Sequence, residues 1–202
     1  MIKGKSPDAD RGTVMRLIVF ADTSPRLGMS IPDFVAAYRV DAVISAGDLT
    51  RSDLPDIDHV QVPTLGVYGN HCDGRYLEEL GMTNLHLKRV VVAGVSFTGL
   101  QGCVRYKPDT RDMLYTQREY KRLIRRLPTA DVLVTHCPPR GINDSDDPAH
   151  LGIDALREWV DHNSPRVLIH GHTYPVRPVT LYGRTRVEYV RGARIVDLPS
   201  GG

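Results

Sequence analysis

The sequence predicts an α/β domain with a partly mixed sheet. Three observations carry the prediction. Short apolar runs alternate with amphipathic helical stretches early in the chain, consecutive strand patterns follow late, and one apolar run after another stops at a polar residue.

Met15 to Ala21 (MRLIVFA) reads as a buried strand ending at Asp22. Ser30, Pro32 and Asp33 supply an oxygen cap, a first-turn proline and a carboxylate near exposed amides, so a helix starts there and runs to Tyr38. Ala42 to Ala46 (AVISA) is a second strand ending at Gly47 and Asp48, and Val62 to Tyr68 (VPTLGVY) a third ending at Gly69 and Asn70. Leu85 to Leu100 alternates and reads as a strand pair turning near Gly94. Thr116 and Glu119 form a capping box for a helix to Arg126, with Tyr120, Leu123 and Leu127 facing inward. Asp131 to Thr135 is a strand ending at His136. Ile153 to His162 is an amphipathic helix burying Leu156, Trp159 and Val160, and Arg166 to Ile169 is a strand running into His170, Gly171 and His172. Val179 to Leu198 reads as a β meander with a tight turn at Arg191 and Gly192.

The bulk numbers bound the function classes. A chain of 202 residues fits one domain, expected over 14–202, with 1–13 a loose polar tail and Gly201 and Gly202 a frayed end. With 41% hydrophobic and 25% charged residues, bulk disorder is excluded. A net charge of +2 and 6% aromatic residues provide neither a basic groove nor a stacking platform, which disfavours nucleic acid as a partner. No apolar run approaches the ~20 residues that cross a bilayer, and the N-terminus lacks the apolar core of a signal peptide. Cys72, Cys103 and Cys137 are odd in number and scattered, which suits a reducing cytoplasm better than a disulfide framework. Nothing in the sequence fixes the oligomeric state.

Five predicted strands end at a residue able to bind a hard or borderline metal: Asp22, Asp48, Asn70, His136 and His172. In open α/β sheets ligands sit beyond the carboxyl ends of the strands, so the placement has a structural reason. Carboxylate and amide oxygens hold hard cations and imidazole adds a borderline donor, a set that suits Mn²⁺ first and is compatible with Fe or Zn²⁺. Singly, Asp22, Asp48 and Asn70 are more often turn formers. The ordered set together with the histidines outweighs that reading.

In chain order, Gly47-Asp48, Gly69-Asn70-His71, His136 and Gly171-His172 resemble the blocks of calcineurin-like metallophosphoesterases, over Met15 to Leu198. His136-Cys137-Pro138-Pro139-Arg140-Gly141 and His150-Leu151-Gly152 are similar to words found in that family. The resemblance implies a sandwich of two mixed β-sheets flanked by helices (αββα), and two metals about 3.5–4 Å apart sharing a carboxylate and activating the attacking water. Under it Asp48 bridges, Asn70, His136 and His172 complete the second metal's set, and His71 protonates the leaving oxygen, a task suited to imidazole. The implied activity is hydrolysis of a small phosphate ester, a phosphodiester somewhat favoured.

The first metal's half departs from the family pattern. Relatives usually carry Asp-x-His and Gly-His-x-His, whereas this chain has Asp22-Thr23-Ser24 and Gly171-His172-Thr173-Tyr174. Ser24 and Tyr174 thus replace two imidazoles, as weak first-metal ligands or phosphate contacts, and one tight and one weak metal site are expected. Cys72 stands where many relatives carry an acid, with Asp73 beside it. The lost ligands also raise a second reading, a catalytically degenerate scaffold that keeps the fold and binds proteins. His170 reads as packing or a hydrogen-bonding support rather than a replacement ligand. Arg26 and Arg140 adjoin the ligand-bearing loops, where a guanidinium can grip a phosphate bidentately. The basic face of Arg118, Lys121, Arg122, Arg125 and Arg126 reads as solvated.

Overall fold

The computed structural model describes residues 14–108 and 112–198; the expected N-terminal tail and the Gly201–Gly202 end lie outside the described residues. In chain order, and besides short 3-10 turns, the elements are β1 (Met15–Ala21), α1 (Ile31–Tyr38), β2 (Ala42–Ser45), β3 (Thr64–Gly66), α2 (Tyr76–Glu79), β4 (Thr83–Asn84), β5 (Arg89–Val92), β6 (Val95–Leu100), β7 (Cys103–Val104), β8 (Leu114–Tyr115), α3 (Gln117–Ile124), β9 (Val132–Thr135), α4 (Asp154–Asn163), β10 (Val167–His170), β11 (Leu181–Tyr182), β12 (Thr185–Tyr189) and β13 (Gly192–Leu198).

Among the described residues two large sheets form, ordered β13-β1-β2-β3-β4 and β11-β12-β10-β9-β6-β5, with β7-β8 as a small separate pair. Both large sheets are mixed. β1 to β4 run parallel with β13 antiparallel at one edge, and β6, β9, β10 and β12 run parallel between antiparallel β5 and β11. β1 shows why the apolar runs are continuous. Leu17, Val19 and Ala21 enter the core between the sheets with Ile44, Leu65, Phe97, Val134 and Ile169, while Ile18 and Phe20 point outward and pack with Phe34, Val43, Tyr76 and Leu77 beneath α1 and α2. The outer face of the second sheet buries Leu133 and Leu168 against Tyr120, Leu156 and Trp159 of α3 and α4. The layers are helix, sheet, sheet, helix.

Ser30 caps α1 by accepting the Asp33 amide, and Thr116 and Glu119 close the capping box of α3. The third strand starts later than expected because Pro63 offers no amide to the ladder, only its carbonyl taking part by accepting from the Val43 amide at 2.9 Å, and it ends at Gly66 rather than Tyr68. The expected meander is also corrected. β12 and β13 belong to different sheets, β12 parallel to β10 and β13 antiparallel to β1, so the chain crosses between sheets at Val190 and Arg191. A two-residue hairpin turn of type I′ needs two residues at positive φ, and here Gly192 (77°) has it while Arg191 does not. Among the described residues no helix is long and apolar enough to cross a membrane.

Candidate metal centre

The parallel strands β1, β2, β9 and β10 deliver their C-terminal ends to one edge of the sandwich, where backbone bonds tie them. Asp22 N–H donates to Gly47 O (3.1 Å), linking the ends of β1 and β2, and Gly171 N–H donates to His136 O (3.1 Å), linking those of β9 and β10. The ends then turn sharply. Asp22 (φ 64°), Asp48 (53°) and His172 (68°) all lie in the left-handed region, a strain that concentrates where the surrounding structure over-determines a functional geometry. Gly69 is required by close approach: a Cβ there would stand 2.0 Å from Asp48 Oδ1 and 2.3 Å from Asp48 N.

Ligand-capable atoms of Asp48, His136 and His172 lie within 4.8 Å of one another. Asn70 joins them through Oδ1, 3.0 Å from His136 Nε2, and Asp48 Oδ2 is 3.3 Å from the same nitrogen. His136 and Asn70 are fully buried and His172 is 7% exposed. The tautomers follow from the other ring nitrogens. His136 Nδ1 is 2.9 Å from Ala46 O and His172 Nε2 is 2.8 Å from Ala149 O; a carbonyl only accepts, so both nitrogens carry protons. His172 Nδ1 is left with a lone pair and His136 Nε2 is turned toward the oxygens, each imidazole oriented by a backbone carbonyl as in histidine metal ligands. Two oxygens and Nε2 thus face one another, and Asn70 Nδ2 is buried without a partner among the described residues. A buried convergence of two oxygens on one imidazole nitrogen is satisfied by a proton on that nitrogen or by a cation in its place.

Without a cation, Asp48 and His136 hold each other as an ion pair. Burial pushes the Asp48 carboxyl up, but the charge and hydrogen bond of His136 and the His71 amide outweigh it and hold Asp48 below the usual carboxylate range. Burial pushes His136 down, and the Asp48 carboxylate overrides it upward. His172 is pushed down to about 3 by burial and then by His136, leaving it neutral.

The structure places the other expected residues as follows. Asp22 stands outside the close group, and both of its oxygens receive the His172 amide (3.1 and 3.2 Å). Ser24 donates to Asp53. Tyr174 is 53% exposed with the Arg191 guanidinium 4.7 Å over its ring. His71 is rim-exposed; its amide donates to Asp48 Oδ1 (2.8 Å), and its Nδ1 lies 3.7 Å from Asp112 Oδ2. Asp73 accepts the Arg75 and Tyr76 amides at the start of α2, so it does not stand in for the acid that Cys72 replaces; the acid beside the His71 ring is Asp112, whose Oδ2 is paired with Lys107 Nζ at 2.5 Å. His170 uses both ring nitrogens internally, donating from Nδ1 to Gly171 O (3.0 Å) and accepting from Asn143 Nδ2 (2.9 Å), as the packing reading anticipated. Arg140 is engaged by Asp144 and Asp146, which removes it as a phosphate contact. The sequence reading missed Asp112, Asn143 and the proximity of His150, whose ring centroid is 5.5 Å from that of His172. His150 lies within one of the family-like words, a signal that could have found it.

No protein-family model matches the chain, and no curated protein matches it. Among solved structures, one crystal structure superposes with a TM-score of 0.67 at 16% identity, covering 92% of this chain and 95% of that one. TT1561 of Thermus thermophilus does so with a TM-score of 0.58 at 14% identity, covering 87% and 88%. A protein described as a novel archaeal phosphodiesterase follows with a TM-score of 0.50 at 13% identity, covering 91% and 100%. At these identities the likeness is one of fold. With two mixed sheets face to face and helices on both outer sides, the chain has the metallophosphoesterase-type fold.

Proposed function

We propose that the chain is a metal-dependent phosphoesterase acting on a small phosphate ester, a phosphodiester in preference to a monoester. The observation that carries this reading is the buried convergence of His136 Nε2, Asn70 Oδ1 and Asp48 Oδ2, with the other nitrogen of His136 already fixed by Ala46 O. In this reading Asp48, Asn70, His136 and His172 hold a tightly bound divalent cation, Mn²⁺ first among Mn²⁺, Fe and Zn²⁺. Asp22 with Asp48 offers a weaker second place, because both imidazoles expected there are absent and Ser24 is spent on Asp53. A divalent cation in such a site supplies Lewis-acid polarisation of a phosphoryl oxygen and acidifies water. Asp48 positions His71 through the His71 amide. With Asp112 facing Nδ1, His71 presents Nε2 to the leaving oxygen and delivers the proton there.

The degenerate-scaffold reading draws on the same two replaced positions, Ser24 and Tyr174. Against it stands the carbonyl-fixed histidine pair, which a binding surface has no physical need to bury. Hydrolysis of bis-p-nitrophenyl and p-nitrophenyl phosphate with Mn²⁺ tests both: the expected result is faster diester cleavage, abolished in His71→Ala with fold and metal content retained. Clear preference for the monoester reverses the substrate ranking, and a chain that binds no metal and cleaves neither ester supports the scaffold.

A further inference from the structure

Where the resemblance expects the second imidazole of the first metal's half, Tyr174 carries a guanidinium over its ring, that of Arg191 at 4.7 Å. The placement is a product of the sheet crossover. β13 pairs with β1 as far as Ala21 and Gly192, so Arg191 stands one residue beyond the end of this antiparallel ladder, next to the turn that carries Asp22. The fixed turn and the stacked ring orient the guanidinium without neutralising it. Burial pushes the Asp22 carboxyl up, and the charge of His136, the His172 amide and, least of the three, the charge of Arg191 oppose that push. Arg191 also faces an open cleft with Thr23, Ser24, Arg26, Gly192 and Ala193. Among the described residues neither Arg191 nor Arg26 is within ion-pair distance of a carboxylate, whereas the neighbouring Arg194 is neutralised by Glu188 at 2.9 Å.

We propose that Arg191, supported by Arg26, is the phosphate-binding group of the altered half, gripping a non-bridging phosphoryl oxygen where relatives would use their first metal. The proposal rests on the phosphoesterase reading and deepens it. A single divalent cation is balanced by Asp22 and Asp48, so the guanidinium is what leaves the site net positive. That surplus suits the single negative charge of a diester better than the double charge of a monoester. A planar fork makes two parallel bonds to phosphate oxygens, a geometry that lysine cannot reproduce.

The test is calorimetric titration of inorganic phosphate into Mn²⁺-loaded protein, wild type against Arg191→Gln and Arg191→Lys. The expected result is phosphate affinity lowered about tenfold or more in Arg191→Gln, the loss of a charge-assisted contact, with part recovered in Arg191→Lys. Mn²⁺ content and melting temperature should stay at wild-type values, and KM for bis-p-nitrophenyl phosphate should rise more than kcat falls. Unchanged phosphate affinity in Arg191→Gln, an absence of phosphate binding in wild type, or a loss of Mn²⁺ with the substitution would each overturn the proposal. Weakened phosphate binding by Arg191→Gln in a chain that cleaves neither ester leaves Arg191 as an anion-binding residue and sinks the phosphoesterase reading alone.

Discussion

Gly69→Ala perturbs the centre without replacing any of its proposed metal-holding side chains. The added Cβ would stand 2.0 Å from Asp48 Oδ1 and 2.3 Å from Asp48 N. Carbon contacts are comfortable at about 3.5 Å or more, so the overlap exceeds about 1 Å and one of its partners is backbone that no rotamer can clear. Asp48 must move, and its Oδ2 lies 3.3 Å from His136 Nε2 in a buried pocket with little slack. Overpacking of this kind costs roughly 1–3 kcal/mol, and at about 2–4 °C per kcal/mol for a chain of this size the melting temperature should fall by about 2–12 °C. The effect on turnover should be larger, because a displacement of about 1 Å at a reacting centre costs on the order of a hundredfold. Differential scanning calorimetry, metal content and bis-p-nitrophenyl phosphate hydrolysis read the three consequences separately. Gly183→Asn is the control, since Gly183 has nothing within 4 Å of its added Cβ and Asn tolerates its φ of 56°. If Gly69→Ala melts and turns over like that control, the close approach of the Asp48 and Asn70 loops is not what holds the site.

His86 predicts an acid-sensitive window. Burial, then the charges of Arg126 and Lys88, push its imidazole down to about 4, and its Nδ1 accepts the Gln101 amide at 3.3 Å, which requires the neutral ring. The folded state therefore binds the proton less readily than the unfolded chain, with an unperturbed value near 6.5; the contribution is intact above about pH 6.5 and is lost as pH falls to about 4, by at most tenfold in the folding equilibrium per pH unit. Urea melts across that range should show the slope, and His86→Gln should flatten it; an unchanged slope in the variant refutes the assignment. His170→Ala should cost roughly 2–4 kcal/mol by removing a buried, doubly bonded ring while leaving Mn²⁺ content at the wild-type level. A stoichiometric loss of metal would make His170 a ligand.

The strand-end cluster was legible because two regularities meet in it. Continuous apolar runs such as MRLIVFA announce parallel strands buried on both faces, and the chemistry of such sheets sits beyond their carboxyl ends, so Asp48, Asn70, His136 and His172 could be placed together from residue type and position. What the sequence hid depends on where loops go. Ser24 is drawn to Asp53, and His71 meets Asp112 rather than the neighbouring Asp73, because the partners are brought close by the fold and not by spacing. β7 and β8 are two residues each, too short for any period. In the sequence Arg191 reads as a turn residue because EYV and ARIV alternate like the arms of a hairpin. Only their separate partners, β10 and β1, turn that hairpin into a crossover and bring Arg191 over the Tyr174 ring.

The buried meeting of His136 Nε2 with Asn70 Oδ1 and Asp48 Oδ2 has three physical solutions: a proton on Nε2, an Asn70 amide turned so that its N–H meets the lone pair, or a cation. Asn70→Asp separates them. The added carboxylate removes the amide donor and sets a second negative charge beside Asp48, so the metal-free variant should melt below wild type by the cost of like charges in a buried pocket. With a cation the same change strengthens the donor set, so Mn²⁺ should raise the melting temperature of the variant by more than that of wild type. A ligand at a hundred times its dissociation constant adds about 2.7 kcal/mol, equivalent to roughly 5–11 °C in a chain of this length. A Mn²⁺-dependent rise in both proteins, larger in Asn70→Asp, is the signature of a cation site. If Mn²⁺ moves neither protein, the acceptors are held together by a proton or by the turned amide, and the metal-dependent reading of the centre fails.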